Sequence, residues 1–127
     1  AVASRMPEAL VESAARRDKR TLVVRDGART HLIPHDDIVW IEAEDYYAAI
    51  HTQGRRILAR ESLRTLAATL DPAAFVRVHR SAIVNTRWVK TIEPLASGDQ
   101  KLLLADGTTL RASRTHRAAL LRAIATD

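Results

Sequence analysis

Residues 75–85 read Phe-Val-Arg-Val-His-Arg-Ser-Ala-Ile-Val-Asn, and that order prepares one kind of chemistry. Phe75, Val76 and Val78 suit a packed strand, and Ile83 and Val84 supply a second apolar pair. Between them stand Arg77, His79, Arg80 and Ser81, all hydrogen-bond donors, with Asn85 closing the run. A segment that buries its ends and exposes a basic, donor-rich middle is suited to gripping an anion. The other reading is a strand with a solvated polar face and a histidine satisfied within the core.

A second cluster sits near the C-terminus. The apolar spacing predicts a final helix over residues 113–125 that buries Leu120, Leu121 and Ile124, with Ser113 as its N-cap. Arg114 and Arg117 then fill the first turn, where the helix dipole favours anions and disfavours cations. A bound phosphate or base edge would complete such a site. Alternatively the two side chains extend into water, where screening cuts the penalty to about a few tenths of a kcal/mol.

Catalysis finds little to work with. His31 and His35 have i,i+4 spacing, but Pro34 between them opposes a shared helical face. His35, Asp36 and Asp37 are consecutive, so they fit a solvated loop better than a metal cluster. The four glycines are scattered, and no phosphate-cradling loop is formed. We therefore expect no enzyme, no metal and no cofactor.

Around these clusters, 127 residues make one domain's worth of chain. The 46% apolar and 28% charged content reads as globular rather than disordered. No apolar run is long enough to span a bilayer, no secretory signal is present, and the absence of cysteine fits a reducing cytoplasm. Net charge is +5, and residues 75–127 alone carry that surplus, with nine Lys or Arg against four Asp or Glu. Seventeen of the twenty basic residues are arginine, whose planar fork suits phosphates and guanine edges, although coding composition produces the same bias.

The elements that must hold these residues are mostly strands. Residues 21–25 and 28–33 form a hairpin around Asp26-Gly27, and Pro34 ends it. Residues 38–43 are β-rich and apolar enough to be a central strand. Residues 46–52 and 55–59 pair around Gln53-Gly54. Ser62 caps a short helix that buries Leu63, Leu66, Ala67 and Leu70 and ends at Asp71-Pro72. Strands over residues 75–85 and 88–93 follow, then a loop through Ser97-Gly98-Asp99, and residues 100–105 and 108–112 pair around Asp106-Gly107. Residues 1–20 read as a linker, with a marginal helix over residues 6–18. The expected fold is mostly β: small antiparallel sheets with two or three short helices.

The ordered set Phe75-Val76-Arg77-Val78-His79-Arg80-Ser81, Val84-Asn85, Val89, Ile92, Leu102-x-Leu104-x-Asp106-Gly107 and Ser113-Arg114 resembles the LytTR (LytR/AlgR-like) DNA-binding domain. Residues 38–43 and Ser62-Leu63 also match its pattern, and the likeness spans roughly residues 21–124. It implies small antiparallel sheets that read duplex DNA through loops. It also implies that residues 21–127 are the output domain of a bacterial response regulator in a two-component system. A receiver or sensor domain would then be missing from this chain, and a second copy would sit on paired direct repeats of the operator.

Residue by residue, the resemblance makes Arg114 the reader of a base in the major groove, with Ser113 and Arg117 beside it. Arg80 and Ser81, flanked by His79 and Asn85, would hold backbone or base, with His79 more structural than contacting. Tyr46 and Tyr47 match the first base-reading loop, which here also carries Glu44 and Asp45 and so departs from an anion-binding pattern. Arg60, Ser62 and Arg64 match phosphate contacts. The rival class is a β-rich interaction or ligand-sensing module with a basic face. RNA binding has less support, because no aromatic pair stands at a stacking spacing.

Overall fold

A computed structural model describes residues 21–125; the helix expected over residues 6–18 lies outside them. In chain order the elements are β1 (Thr21–Asp26), β2 (Arg29–Pro34), β3 (Ile38–Glu44), β4 (Tyr47–Thr52), β5 (Arg55–Ala59), α1 (Leu63–Thr69), β6 (Phe75–His79), β7 (Ala82–Asn85), β8 (Val89–Pro94), β9 (Gln100–Leu104), β10 (Thr109–Ala112) and α2 (Arg117–Ala125). Short 3-10 turns cover His35–Asp37, Thr86–Trp88 and Arg114–His116.

The strands form three antiparallel sheets: β1-β2, β5-β4-β3-β7-β6 and β10-β9-β8. Turn chemistry sets the hairpins. Gly27 and Gly107 take positive φ (61° and 93°) in the Asp-Gly turns, a backbone region that costs glycine little. The central strand is β3, bonded to β4 on one side and β7 on the other.

Its apolar run serves both faces of the five-stranded sheet. A bulge between Ile38 and Trp40 shifts the alternation, so Ile38 and Ile41 join one core while Val39 joins the other. The first core packs the β1-β2 hairpin (Leu22, Val24, Ile33) and α1 (Leu63, Leu66) against Ile50, Ile57 and Ile83. The second packs Val76, Val78 and Val84 against Leu102, Leu104 and Leu120 from the three-stranded sheet and α2. Each fully buried Leu or Ile in these layers contributes about 1.5–3 kcal/mol of transfer free energy.

Both helices depart from expectation in detail. Ser62 Oγ accepts from the Thr65 N–H at 3.1 Å and caps α1, and Leu63, Leu66 and Leu70 are buried. Ala67, however, is exposed. The final helix begins as a 3-10 turn, and its α part starts at Arg117. Ser113 makes no capping bond to the backbone, because its hydroxyl is shared between Thr115 Oγ1 (2.9 Å) and His116 Nδ1 (2.7 Å). Leu120 is buried and Ile124 half-buried, but Leu121 is 41% exposed, since one residue along a helix turns the side chain by about 100°.

Candidate nucleic-acid interface

Register brings five chain segments to one end of the molecule. Glu44 pairs with Tyr47 across the two-residue loop Asp45-Tyr46, and His79 pairs with Ala82 across Arg80-Ser81. Because β7 begins opposite Glu42, both loops leave the same sheet end, and the Ala43 N–H donates to Ser81 O at 2.8 Å between them. Ala48 pairs with Ala59, so β5 exits there towards Arg60 and Ser62. The Ser113 N–H donates to Val78 O at 2.7 Å, which ties the start of the last segment to the end of β6. Asp99, in the β8-β9 loop, is bonded to Arg114 and adds the fifth segment.

The loop at Arg80 is built by its neighbours. Arg77 donates from Nε to His79 O (3.2 Å) and from Nη2 to Arg80 O, so its guanidinium is committed to the turn. His79 Nδ1 accepts from the Ser81 N–H (3.3 Å) and bonds Ser81 Oγ (2.9 Å). A backbone N–H only donates, so the neutral ring carries its proton on Nε2 and the Ser81 hydroxyl donates. His79 thus closes its own turn instead of bonding a carbonyl, and the Ser81 hydroxyl is spent on it. The Arg80 side chain is left exposed at the tip, with no bond to its guanidinium among the described residues.

Asn85 is the clearest correction. It is 1% exposed, Nδ2 donates to Ile38 O (2.9 Å) and His35 O (3.3 Å), and Oδ1 accepts from the Arg87 N–H (3.0 Å). Those bonds fasten β7 to the turn preceding β3, and nothing of the side chain reaches an outside ligand. Ser62 is likewise engaged as a helix cap and also bonds Thr65 Oγ1 at 2.9 Å. Ser113 is engaged with Thr115 and His116.

In the first loop Tyr46 is 88% exposed, while Tyr47 lies beneath the Arg60 guanidinium, 5.8 Å from ring centroid to Cζ. Glu44 is ion-paired with Arg56, which removes one of the two carboxylates that burdened this loop. The pairing raises the Arg56 pKa, chiefly through the hydrogen bond that Arg56 donates to Glu44. Asp45 stays exposed, in a left-handed conformation (φ 55°) that turns the two-residue loop.

The helix start holds a residue that the sequence reading passed over as loop. Asp99 Oδ1 accepts from the Arg114 backbone N–H at 3.1 Å, and Oδ2 accepts from Arg111 Nε at 2.9 Å. The carboxylate is held below its ordinary pKa by the Arg114 N–H first and by Arg111 next. An internal anion therefore stands at the segment start, where Arg114 and Arg117 had pointed to an external phosphate or base edge. The Arg114 side chain remains exposed, close enough to the Gly98 backbone that a Cβ there would stand 3.5 Å from Arg114 Cδ.

Arg60, Arg64, Arg80, Arg114 and Arg117 are all exposed, and none is ion-paired among the described residues. Glu61 stands between Arg60 and Arg64 in the chain and Asp45 on the first loop, and neither has an ion pair among the described residues. No group of three or more His, Asp or Glu among the described residues gathers to hold a metal, and no described helix is long and apolar enough to cross a membrane.

The family model described as LytTr DNA-binding domain matches residues 28–125. The Sensory transduction protein LytT of Bacillus subtilis (strain 168) is 28% identical over 95 residues, covering 75% of this chain and 39% of that protein. The Transcriptional regulatory protein LytR of Staphylococcus aureus (strain MW2) is 26% identical over 96 residues, covering 76% and 39%. The chain thus spans about two fifths of the length of the curated relatives it matches. Among solved structures, the LytTr DNA-binding domain of a methyl-accepting/DNA response regulator from Bacillus cereus superimposes with a TM-score of 0.73 at 20% identity, over 83% of this chain and 96% of that one, a likeness of fold.

Proposed function

This chain belongs to the LytTr DNA-binding domain family, and from that premise we propose that residues 21–127 bind double-stranded DNA sequence-specifically as the output domain of a bacterial transcriptional regulator. The observation that carries the proposal is the set of exposed arginines Arg60, Arg64, Arg80, Arg114 and Arg117, without carboxylate partners among the described residues, on the loops and helix starts that follow the sheet end described above. Clustered arginine with little opposing charge is the electrostatic footprint of a phosphate-binding surface.

Within that surface the roles divide by what each side chain has left to offer. Arg114 and Arg80 extend from backbone held by Asp99 and Arg77 respectively, so their forks are presented on fixed stems, as base reading requires. Tyr46, exposed on its loop, touches base or sugar. Arg60, Arg64 and Arg117 set register through phosphates. Ser62, Ser81, Ser113 and His79 brace these loops through side-chain bonds within the fold.

Binding to paired direct repeats, with a second copy alongside, is the expected operator arrangement. Residues 1–20 would serve as a linker from a receiver or sensor domain, and the site of action would be the cytoplasm. Hydroxyl-radical footprinting of the 127-residue chain on its regulated promoter tests the reading. Two discrete protected patches in the same orientation support it, whereas even protection along the duplex would reduce the protein to a basic β module.

A further inference from the structure

The five-stranded sheet ends on β5, and among the described residues no strand is hydrogen-bonded to its outer side. Beside that edge the β1-β2 hairpin leaves a groove of about 630 Å³, lined by Arg25 and Arg29 from the hairpin and by Arg55, Arg56, Leu58 and Arg60 along β5. Five arginines and a single carboxylate, Asp26, face this space. Glu44 neutralises Arg56, and Arg60 lies over Tyr47, while Arg29 and Arg55 have no ion pair among the described residues.

We propose that this groove takes an extended acidic segment of another protein, which adds as a strand to the open edge of β5 and sets its carboxylates against Arg29 and Arg55. An unpaired strand edge presents N–H and C=O groups ready for one more chain, and alternate side chains of the incoming strand then supply specificity. The alternation of β5 fixes what those side chains should be. Ile57 and Ala59 face the hairpin, so Arg55, of the same parity, shares the side on which Arg25 and Arg29 stand, and acids belong there. Leu58, 39% exposed, faces the other way and offers contact to an apolar residue. The matching sequence alternates acidic and apolar residues.

The same arginines oppose pairing of β5 with a second copy of itself, because like charges directly across a ladder repel. Arg55 also lies at the end of β5 remote from Arg60, about 16 Å of strand away from the loops that gather the DNA-facing arginines. That separation sets Arg55 apart from the proposed DNA contacts, with Arg60 at the border of the two surfaces.

The test is fluorescence anisotropy of a labelled heptapeptide of alternating glutamate and valine, titrated with the 127-residue chain. Saturable binding is expected, at least tenfold weaker with the double variant Arg29→Glu, Arg55→Glu. It should also be lost when the set of alternate peptide amides turned to β5 is N-methylated and kept when the other set is, a comparison that needs no protein variant. Equal binding of a lysine-valine peptide, indifference to N-methylation, or no saturable binding would overturn the proposal. If the double variant melts like the parent and loses duplex DNA affinity while no peptide binds, the groove belongs to the DNA backbone and the proposal fails. Loss of peptide binding with DNA affinity unchanged supports it.

Discussion

Asp99 Oδ1 accepts a hydrogen bond of 3.1 Å from the backbone N–H of Arg114, across fifteen residues of sequence. The bond does for the last segment what Ser113 was expected to do, and the second oxygen of the same carboxylate holds Arg111 at 2.9 Å. The base of Arg114 is thereby fixed by one residue that carries negative charge inside a surface proposed to meet DNA.

Removing that anchor should separate specificity from attraction. Asp99→Ala is expected to lower the preference for operator over scrambled duplex while nonspecific affinity holds or rises, because a carboxylate has left the surface. Asp99→Asn keeps an acceptor for the Arg114 N–H and should fall between the two. Competitive gel shifts measure the ratio directly; a ratio unchanged in both variants would remove Asp99 from recognition.

Arg114→Ala should cost about 1–3 kcal/mol in operator binding and relax preference at one base pair, the signature of a lost bidentate contact. Selection from a pool randomised at each operator position detects the relaxed base. Undiminished affinity would unseat Arg114 as a reader.

Arg64→Ala should weaken every duplex about equally and reduce the slope of log K against log salt by about one unit. A salt series on two unrelated duplexes checks it, and a shift in base preference would contradict the phosphate role.

Asn85→Ala should destabilise the fold by about 2–4 kcal/mol, since it takes the side-chain partner from the buried Ile38 carbonyl and the Arg87 N–H and leaves His35 O only the bond from the Ile38 N–H. Urea unfolding gives the number. Variant protein that remains folded should still bind the operator; a selective loss of binding at full stability would restore Asn85 to the interface.

Acid should release the Asp99 anchor. Its carboxyl pKa is depressed in the folded chain, so the stabilisation is complete above the unfolded value of about 4 and is lost as pH falls through the lower folded value. Thermal melts of parent and Asp99→Asn should therefore differ near neutrality and converge in acid. A difference that grew on acidification would reverse the sign of the linkage.

Much of the scaffold was legible because its signals are local. Asp26-Gly27, Gln53-Gly54 and Asp106-Gly107 each turned a hairpin, and Ser62 capped its helix as its spacing to Thr65 allows. What failed depended on long-range contact. Asn85 reads as a surface donor until folding brings in the carbonyls of His35 and Ile38, 50 and 47 residues away. The acidic first loop looked hostile to phosphate because Arg56, which neutralises Glu44, lies in another strand. Asp99 looked like ordinary loop for the same reason: Ser97-Gly98-Asp99 carries no mark of the helix start it serves. Leu121 and Ala67 were misjudged by a single helical position, where apolar type alone does not distinguish the buried stripe from its border.

The most direct test of the central claim is selection of duplexes from a random-sequence pool by the 127-residue chain, followed by anisotropy of the winner against its scrambled form at two salt concentrations. A sequence-specific reader should enrich one motif and prefer it at least about a thousandfold, with the preference surviving the higher salt. A pool that yields no motif, and binding that is equal for both duplexes and collapses with salt, would contradict the account.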